Sequence, residues 1–592
     1  MRRLPLRCTF VHAPNPDSGN VQYLGMRFMP AWVYTLAAWV PDDGRYRLAM
    51  ADTRLQPADE ILEADVYLFS GWNQDLAHMD QVRSQLAATY PDATCVVGGP
   101  IAWSLDQAGE IDRLGAFDHI HIGDGEVGVG PLLERLGRRA PLPHVVRAAK
   151  RFDIASARPL HSGLLAQTIG DYYGGIVEVS RGCPFLCEFC DIRVSKDNNR
   201  PHNKRVELIL QELELLCGHG KQQIMLVCDN FIGDPAWAEE VVDRIIAWKQ
   251  RTGFEPSIFT WLTINLHRNR RLLRKMRLAG FDTLFIGIES FSRNSLLETA
   301  KVQNAAVQLE DAVANVQAHG FIVVAGLIFG FDSDADDCFD RTTAGLESSG
   351  LLSGDPSFLV ALPGTPLYRR MALAGRLRDK TSHNHHRYSS NIRFLLSGSD
   401  LTDGYLRFVA ADVDGAHRYA RLERFLANLE SGHYVPLSGQ GFGNVGSIIE
   451  ALRANPAAAR QLLRRLESFA ADPTRLAWAG RGALAVLKRR GLKGRLRYLQ
   501  FWLFAWSNAV LAYHNLTKHD LDLQGMGSFV AEDVLPAGYE ETANEDIPRA
   551  RIEAQLRNTT RALRRLLERT EDAKAAKAEA LTRARPGSRR TT

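Results

Sequence analysis

Cysteine is scarce in this chain, with only 8 among 592 residues. That scarcity excludes a disulfide framework. Cys8, Cys95, Cys217, Cys228 and Cys338 are scattered, while Cys183, Cys187 and Cys190 crowd together. The pattern predicts a reducing cytoplasm and one cysteine-built site. An excess of charge of one sign is also missing. The formal net charge of +4 gives no reason to expect nucleic acid or an anionic membrane as partner. The start, MRRLPLRCTFVHAPNPD, has no apolar stretch of signal-peptide length. The longest apolar run, Leu499–Tyr513, falls short of the ~20 residues that span a bilayer, and Ser507 and Asn508 interrupt it. It predicts a buried core helix, with a surface for lipid or a greasy substrate as the alternative. No short internal repeat is present.

What remains is an ordinary globular composition, 45% apolar and 24% charged, in a length that suits two to four domains of roughly 100–200 residues. Residues 1–140 alternate apolar strands with helical patterns. The strands are CTFVHA (Cys8–Ala13), RYRLAMAD (Arg45–Asp52), ADVYLFSG (Ala64–Gly71), ATCVVGGP (Ala93–Pro100) and HIHIGDGE (His119–Glu126). This alternation predicts an α/β domain with a parallel sheet. Ligands bind at the carboxyl ends of such strands, where the glycine loops fall. Residues 141–172, with prolines at 141, 143 and 159, read as a linker.

A second alternating run occupies 173–375. Its strands are Gly174–Ser180, Gln223–Asn230, Ile258–Asn265, Asp282–Ser290, Phe321–Asp332 and Pro356–Pro366. Six strand–helix units predict an open, partial (β/α)6 barrel of the TIM type. Residues 376–550 read as a mainly helical domain that shapes a substrate cavity. His383, His385 and His386 sit in a polar loop there, and 551–592 read as a charged helical tail ending in disorder.

The cysteines lie in RGCPFLCEFCDI (Arg181–Ile192), directly after the first barrel strand, with the spacing Cys–x3–Cys–x2–Cys and Phe189 before the last one. Three thiolates on one loop can hold three irons of a [4Fe–4S] cubane and leave the fourth open to a chelating ligand. The alternatives are a zinc knuckle and unligated structural cysteines. Structural zinc wants four ligands, usually in pairs. No second pair exists, although His202 could serve as a fourth ligand.

The motif and its context together resemble the radical S-adenosylmethionine (SAM) superfamily. The resemblance implies a [4Fe–4S] cluster on Cys183, Cys187 and Cys190, SAM bound to its open iron, and a 5′-deoxyadenosyl radical that abstracts a hydrogen atom. It also implies SAM contacts from Phe189, from Asp229 and Asn230 at the end of the second strand, and from Glu289 and Ser290 at the end of the fourth. On the fifth strand it points to Gly326, Ile328 and Gly330. Strand-end packing or helix capping is the alternative for each.

A parallel α/β domain ahead of such a barrel resembles the cobalamin-binding class of the superfamily. SGWN (Ser70, Gly71, Trp72, Asn73), GGP (Gly98, Gly99, Pro100) and GDGE (Gly123, Asp124, Gly125, Glu126) carry that resemblance, which implies that these residues cradle the corrin. The Asp–x–His–x–x–Gly pattern of many cobalamin proteins is absent, since DHIHIG (Asp118–Gly123) has its histidines at other offsets. Cobalamin without a histidine ligand is therefore expected, with Trp72 or Asn73 beneath cobalt. A Rossmann-like domain with no cofactor is the alternative. Ala361–Leu377 and Leu401–Val409 resemble the extension of hopanoid methylase-like members and hint at an apolar substrate.

The implied activity is a cobalamin-dependent radical SAM C-methyltransferase that passes a methyl group from methylcobalamin to an unactivated carbon of a natural product or lipid. The alternatives are a cobalamin-binding radical SAM cyclase or rearranging enzyme and, in another class, a non-enzymatic cobalamin carrier or sensor. A methylthiotransferase would need a second cluster, and the other cysteines lack the spacing. The implied partners are a small-molecule substrate and an electron donor such as flavodoxin or ferredoxin, with no transmembrane segment and a monomeric state.

Overall fold

A computed structural model describes residues 5–16, 27–148, 150–194, 196–378, 390–439, 456–489 and 495–518, with isolated positions between 441 and 453. His383, His385, His386 and the tail from Arg551 lie outside the described residues.

The first sheet has six strands: β1 (Leu6–His12), β2 (Tyr46–Asp52), β3 (Val66–Ser70), β4 (Thr94–Gly98), β5 (His119–Ile122) and β6 (Val145–Arg147). They pair in the order β2-β1-β3-β4-β5-β6, all parallel. The central strands are apolar almost throughout because helices cover both faces. Val66, Tyr67, Leu68 and Phe69 are all buried. The strand order reverses between β1 and β3, so a ligand crevice opens at their carboxyl ends. Strand β6 corrects the reading of 141–172 as linker throughout. Its three residues close the edge of the first sheet before the chain crosses over.

The second sheet is β7 (Gly175–Glu178), β8 (Gln223–Val227), β9 (Ser257–Leu262), β10 (Phe281–Glu289), β11 (Ile322–Phe329) and β12 (Ser353–Phe358). Each pairs in parallel with the next, and the order runs from β7 to β12 without closure, an open partial barrel. The last strand was expected over Pro356–Pro366 but ends at Phe358. Beyond it Gly364 takes a φ of +83°, and Thr365 caps the helix Pro366–Leu373 by accepting from Tyr368 N at 3.1 Å.

One apolar core runs from Leu6 and Phe10 of β1 through Ile224, Ile258 and Leu284 of the barrel to Tyr405 and Phe408 of the helix Gly398–Val413. A satellite core joins the helix Gly415–Leu429 to the helix Arg495–Lys518. In the latter Phe501, Phe504, Trp506 and Val510 are buried. The long apolar run is thus part of a core helix. Among the described residues no helix is long and apolar enough to cross a membrane.

Candidate active site

The three motif cysteines are free thiols on the loop after β7. Gly182 sets the entry to that loop. Its φ is +95°, and a Cβ there would stand 2.1 Å from the carbonyl of Arg200, so no larger residue fits. Its N–H donates to the Asp229 carboxylate at 2.5 Å, and Cys183 N donates to Asn198 O at 2.9 Å. Two side-chain amides point at the sulfurs: Asn230 Nδ2 lies 3.8 Å from Cys183 Sγ, and Gln303 Nε2 lies 3.9 Å from Cys187 Sγ. Such donors tune a cluster's potential. Burial pushes the Cys183 thiol up to about 11 and Cys190 well above its ordinary value, with neighbouring acidic groups adding to the second shift. Three cysteines without disulfides on one short loop, with amide donors beside two of the sulfurs, are a donor set that fits a [4Fe–4S] cluster.

The zinc alternative finds no support. His202 Nε2 faces Asp197 O at 2.9 Å. Among the described residues no three His, Cys, Asp or Glu side chains are arranged to hold a single ion. A cubane takes its cysteines at separate corners and needs no such convergence.

The strand ends behave differently from one another. Asp229 fastens the cysteine loop through Gly182, with its carboxyl pushed up to about 6 by burial. Asn230 faces a cysteine sulfur. Both therefore organise the cluster loop. Glu289 has a φ of +66°, at a register shift between β10 and β11. A buried non-glycine residue in that conformation marks stored strain, which concentrates at functional sites. Its carboxylate meets Lys301 Nζ at 2.6 Å. Burial opposes the charge on Lys301, but Glu289 and Cys187 outweigh it and hold the ammonium firmly charged. Ser290 Oγ accepts from Ser292 N at 3.0 Å, a local turn contact. Ile328 and Phe189 line a cavity of about 100 Å³ with Ser357, Phe358, Leu359, Val360 and Leu362. Gly326 lies under Phe285, with 2.9 Å to a hypothetical Cβ. Gly330 lies one residue beyond the strand, covered by the Phe394 ring, which corrects its place on the fifth strand.

At the crevice of the first sheet, Asp75 ties two loops together by accepting from Asn15 N at 2.9 Å and Trp72 N at 2.8 Å. Trp72 is 49% exposed. Asn73 is buried and donates to Ser104 Oγ at 2.8 Å, while its Oδ1 is buried without a hydrogen-bond partner. Of the two residues expected beneath cobalt, only Trp72 presents its side chain openly. Gly99 and Gly123 adopt φ of +82° and +132°. A Cβ at either would meet Ser70 Oγ or Ala148 Cβ within 2.3 Å. Here the backbone comes closer to its neighbours than any side chain permits, so both strand-end loops present bare backbone, on which a corrin would rest. His119 and His121 belong to β5 itself, and His121 packs against Gly128 of the helix Gly125–Gly137. Neither is a strand-end ligand.

The carboxylates of GDGE do something the sequence did not suggest. Glu126 pairs with Arg181 Nη2, and Asp124 Oδ1 lies 3.4 Å from Arg181 Nη1. Asp124 Oδ2 takes Arg151 Nε and Phe152 N, each at 2.8 Å. Arg181 also holds Glu178 at 2.7 and 2.9 Å. Burial works against the charge on Arg181, and Glu178 and Glu126 overcome it. The resemblance places Asp124 and Glu126 in the loop that cradles the corrin. Their carboxylates engage the barrel, and the loop presents backbone.

A second junction forms at LPGTPLYRR. Ser104 Oγ donates to Pro363 O at 2.7 Å, Tyr368 OH to Glu110, and Leu367 N to Glu188 O at 3.3 Å. Arg370 clasps Glu188 of the cysteine loop at 2.7 and 2.8 Å and Asp332 at 2.5 Å. Sequence reasoning missed Arg181, Lys301, Gln303 and Arg370. Each acts on a partner far along the chain, and only the flanking Arg–Gly–Cys of Arg181 gave a local signal.

The barrel's inner wall is apolar and aromatic. Phe28, Met225 and Phe259 are buried there, with Tyr173, Ile176, Val227, Trp261 and Phe285 packed against them. Trp261 stands edge-on to Phe259 at 4.6 Å.

A family model described as the radical SAM superfamily matches residues 177–344. Hopanoid C-2 methylase of Rhodopseudomonas palustris is 30% identical over 371 residues, covering 62% of this chain and 68% of that protein. An uncharacterized methyltransferase of Synechocystis sp. is 29% identical over 356 residues, covering 60% and 65%. The chain thus spans about two thirds of the length of these relatives. The solved structure of the cobalamin-dependent SAM radical enzyme OxsB, with aqua-cobalamin and SAM bound, is similar with a TM-score of 0.55 at 14% identity, covering 92% of this chain and 84% of that one. At that identity the likeness speaks for the fold.

Proposed function

The chain belongs to the family of the hopanoid C-2 methylase and carries a radical SAM domain, and we propose that it binds cobalamin and methylates an unactivated carbon of an apolar, lipid-like small molecule. One observation carries the reading. Arg181, two residues before Cys183, is bound by ion pairs to the Asp124–Glu126 loop of the first sheet. The cysteine loop and the glycine-loop edge therefore meet at one junction, where ligand sites commonly form.

When bound, the cluster and SAM supply a 5′-deoxyadenosyl radical and cobalamin supplies the methyl group; the protein's share is binding, orientation and exclusion of water. Cys183, Cys187 and Cys190 hold the cluster, and Asn230 and Gln303 donate to two of their sulfurs. Glu289, paired with Lys301 Nζ at 2.6 Å, offers a carboxylate to the amino group of SAM. Ile328 and Phe189 flank the adenine cavity. Trp72 and the backbone of Gly98–Gly99 and Gly123–Gly125 form the corrin edge. Phe259, Trp261 and Phe285 hold the substrate by apolar contact. A flavodoxin- or ferredoxin-type donor supplies the electron.

The test is anaerobic reconstitution with iron, sulfide and cobalamin, then incubation with methyl-deuterated SAM, a reductant and candidate polycyclic lipids. Deuterated methyl in the product, with both 5′-deoxyadenosine and S-adenosylhomocysteine, supports the proposal. A consumed substrate with deoxyadenosine but no S-adenosylhomocysteine overturns it in favour of a cyclising or rearranging enzyme.

A further inference from the structure

Two routes run from the Gly123–Glu126 loop to Cys183. In the first, Glu126 and Asp124 bind the guanidinium of Arg181, and the backbone from Arg181 to Cys183 has no slack. Gly182 is held by Asp229 at 2.5 Å and closed in by Arg200 O. In the second, Asp124 holds Arg151 at 2.8 Å, Arg151 Nη2 reaches Asn198 Oδ1 at 3.3 Å, and Asn198 O receives Cys183 N at 2.9 Å. The charges are well shielded, with side-chain exposures of 4% for Glu126, 9% for Asp124 and 22% for Arg181. Salt therefore screens them little. The loop cannot shift without breaking these pairs.

We propose that Arg181 is a positioning residue that couples occupancy of the cobalamin edge to occupancy of the SAM site. The inference rests on the function proposed above and adds a regulatory property to it. A ligand that orders the Gly123–Glu126 loop also orders the backbone beneath Cys183, so the second cofactor meets a site already arranged. Linkage requires the effect to be reciprocal, by one and the same factor in both directions. The enzyme then binds SAM more tightly when the methyl carrier is in place. Arg181 touches neither reacting group in this scheme. Its fork, bidentate on Glu178 and shared with two further carboxylates, is a geometry that lysine does not reproduce.

The experiment measures binding without turnover. SAM affinity is titrated anaerobically on the cluster-loaded, unreduced full chain, with and without hydroxocobalamin. Cobalamin affinity is then titrated with and without SAM. The wild-type chain is expected to give one common factor of about fivefold or more. Arg181→Gln is expected to bring that factor close to one while iron content stays at the wild-type level, and Arg181→Lys to leave it in between. Glu126→Gln, on the other sheet, is expected to lower the factor similarly. The Arg181→Gln/Glu126→Gln double variant should lose no more than the larger single loss. A wild-type factor of one, or a full factor retained in both single variants, overturns the inference. If the wild-type chain retains no cobalamin, the function proposed above fails. The clamp is then read from the electron paramagnetic resonance spectrum of the reduced cluster with SAM, which Glu126→Gln must shift. An unchanged spectrum there also overturns the clamp.

Discussion

Arg370→Met removes a guanidinium shared by three carboxylates. Glu188 is bound at 2.7 and 2.8 Å, Asp332 at 2.5 Å, and Glu298 lies at 3.9 Å. The arginine side chain is 4% exposed and these carboxylates 10–14%, so water does little to replace the lost cation. Asp332 keeps Arg376 at 2.8 and 3.0 Å, whereas Glu188 loses a two-pronged partner. Removing one side of a buried pair costs about 3–5 kcal/mol. Because Glu188 lies between Cys187 and Cys190, the cost falls on local opening of the cysteine loop.

At about tenfold per 1.4 kcal/mol, amides of residues 186–190 should exchange with deuterium roughly 100- to 4000-fold faster. The loss should also depend on pH. Burial and then Asp332 push the Glu298 carboxyl up to about 7 from its ordinary 4.5, and Arg370 works in the opposite direction. A carboxyl raised on folding favours the native state below its unfolded value, and that contribution disappears as pH climbs through the folded value. Without Arg370 the folded value climbs further, so the penalty at pH 8 exceeds that at pH 6. Hydrogen exchange by mass spectrometry at both pH values, corrected for intrinsic rates, is the assay. Unchanged protection of 186–190 at pH 8, or a penalty equal at both pH values, would refute the reasoning.

Cys187→Ala leaves two thiolates on the loop, too few for an open-site cubane. Bound iron and all SAM cleavage should be lost, and retained 5′-deoxyadenosine formation would sink the cluster assignment. Gly182→Ala forces a Cβ to 2.1 Å from Arg200 O at a φ of +95°. Cluster iron per chain should drop severalfold while the far-ultraviolet circular dichroism of the fold persists, and full iron loading would show that the loop has slack. Trp72→Ala should change the absorption spectrum of bound cobalamin without changing iron content. An identical spectrum would put a different group beneath cobalt.

The strands of both sheets were legible because doubly covered parallel strands are apolar along their whole length, as in ADVYLFSG, which stops at glycine, and QIMLVCDN, which stops at Asp–Asn. The cysteine loop was legible from its spacing together with its place directly after the first barrel strand. Strand β6 was not, since Pro141 and Pro143 introduce it and three edge residues make no periodic pattern. GDGE marked a strand-end loop, but what its carboxylates bind was not legible. A motif locates backbone, while the direction of Glu126 depends on Arg181, 55 residues later. Lys301 and Gln303 were invisible for the same reason, since their partners Glu289 and Cys187 come together only on folding. The φ of Glu289 leaves no trace in composition, because outside glycine a left-handed residue looks like any other.

The junction at LPGTPLYRR bears on how such enzymes can diversify. Pro363 and Tyr368 contact the first sheet's helical layer, Leu367 and Arg370 contact the cysteine loop, and Arg370 and Arg376 contact the end of β11. Though it follows the last barrel strand, this segment is a keystone of the catalytic half. A crossover placed between Phe358 and Arg376 would hand one parent's arginines to another parent's carboxylates and scramble the joint. A crossover placed just after Arg378 breaks a further joint, since Asn391 and Arg393 pair with Ala361 and Arg376, and Tyr405 and Phe408 pack in the barrel core. Recombination, in evolution or in the laboratory, therefore has to carry this segment and the elements it clasps as one block.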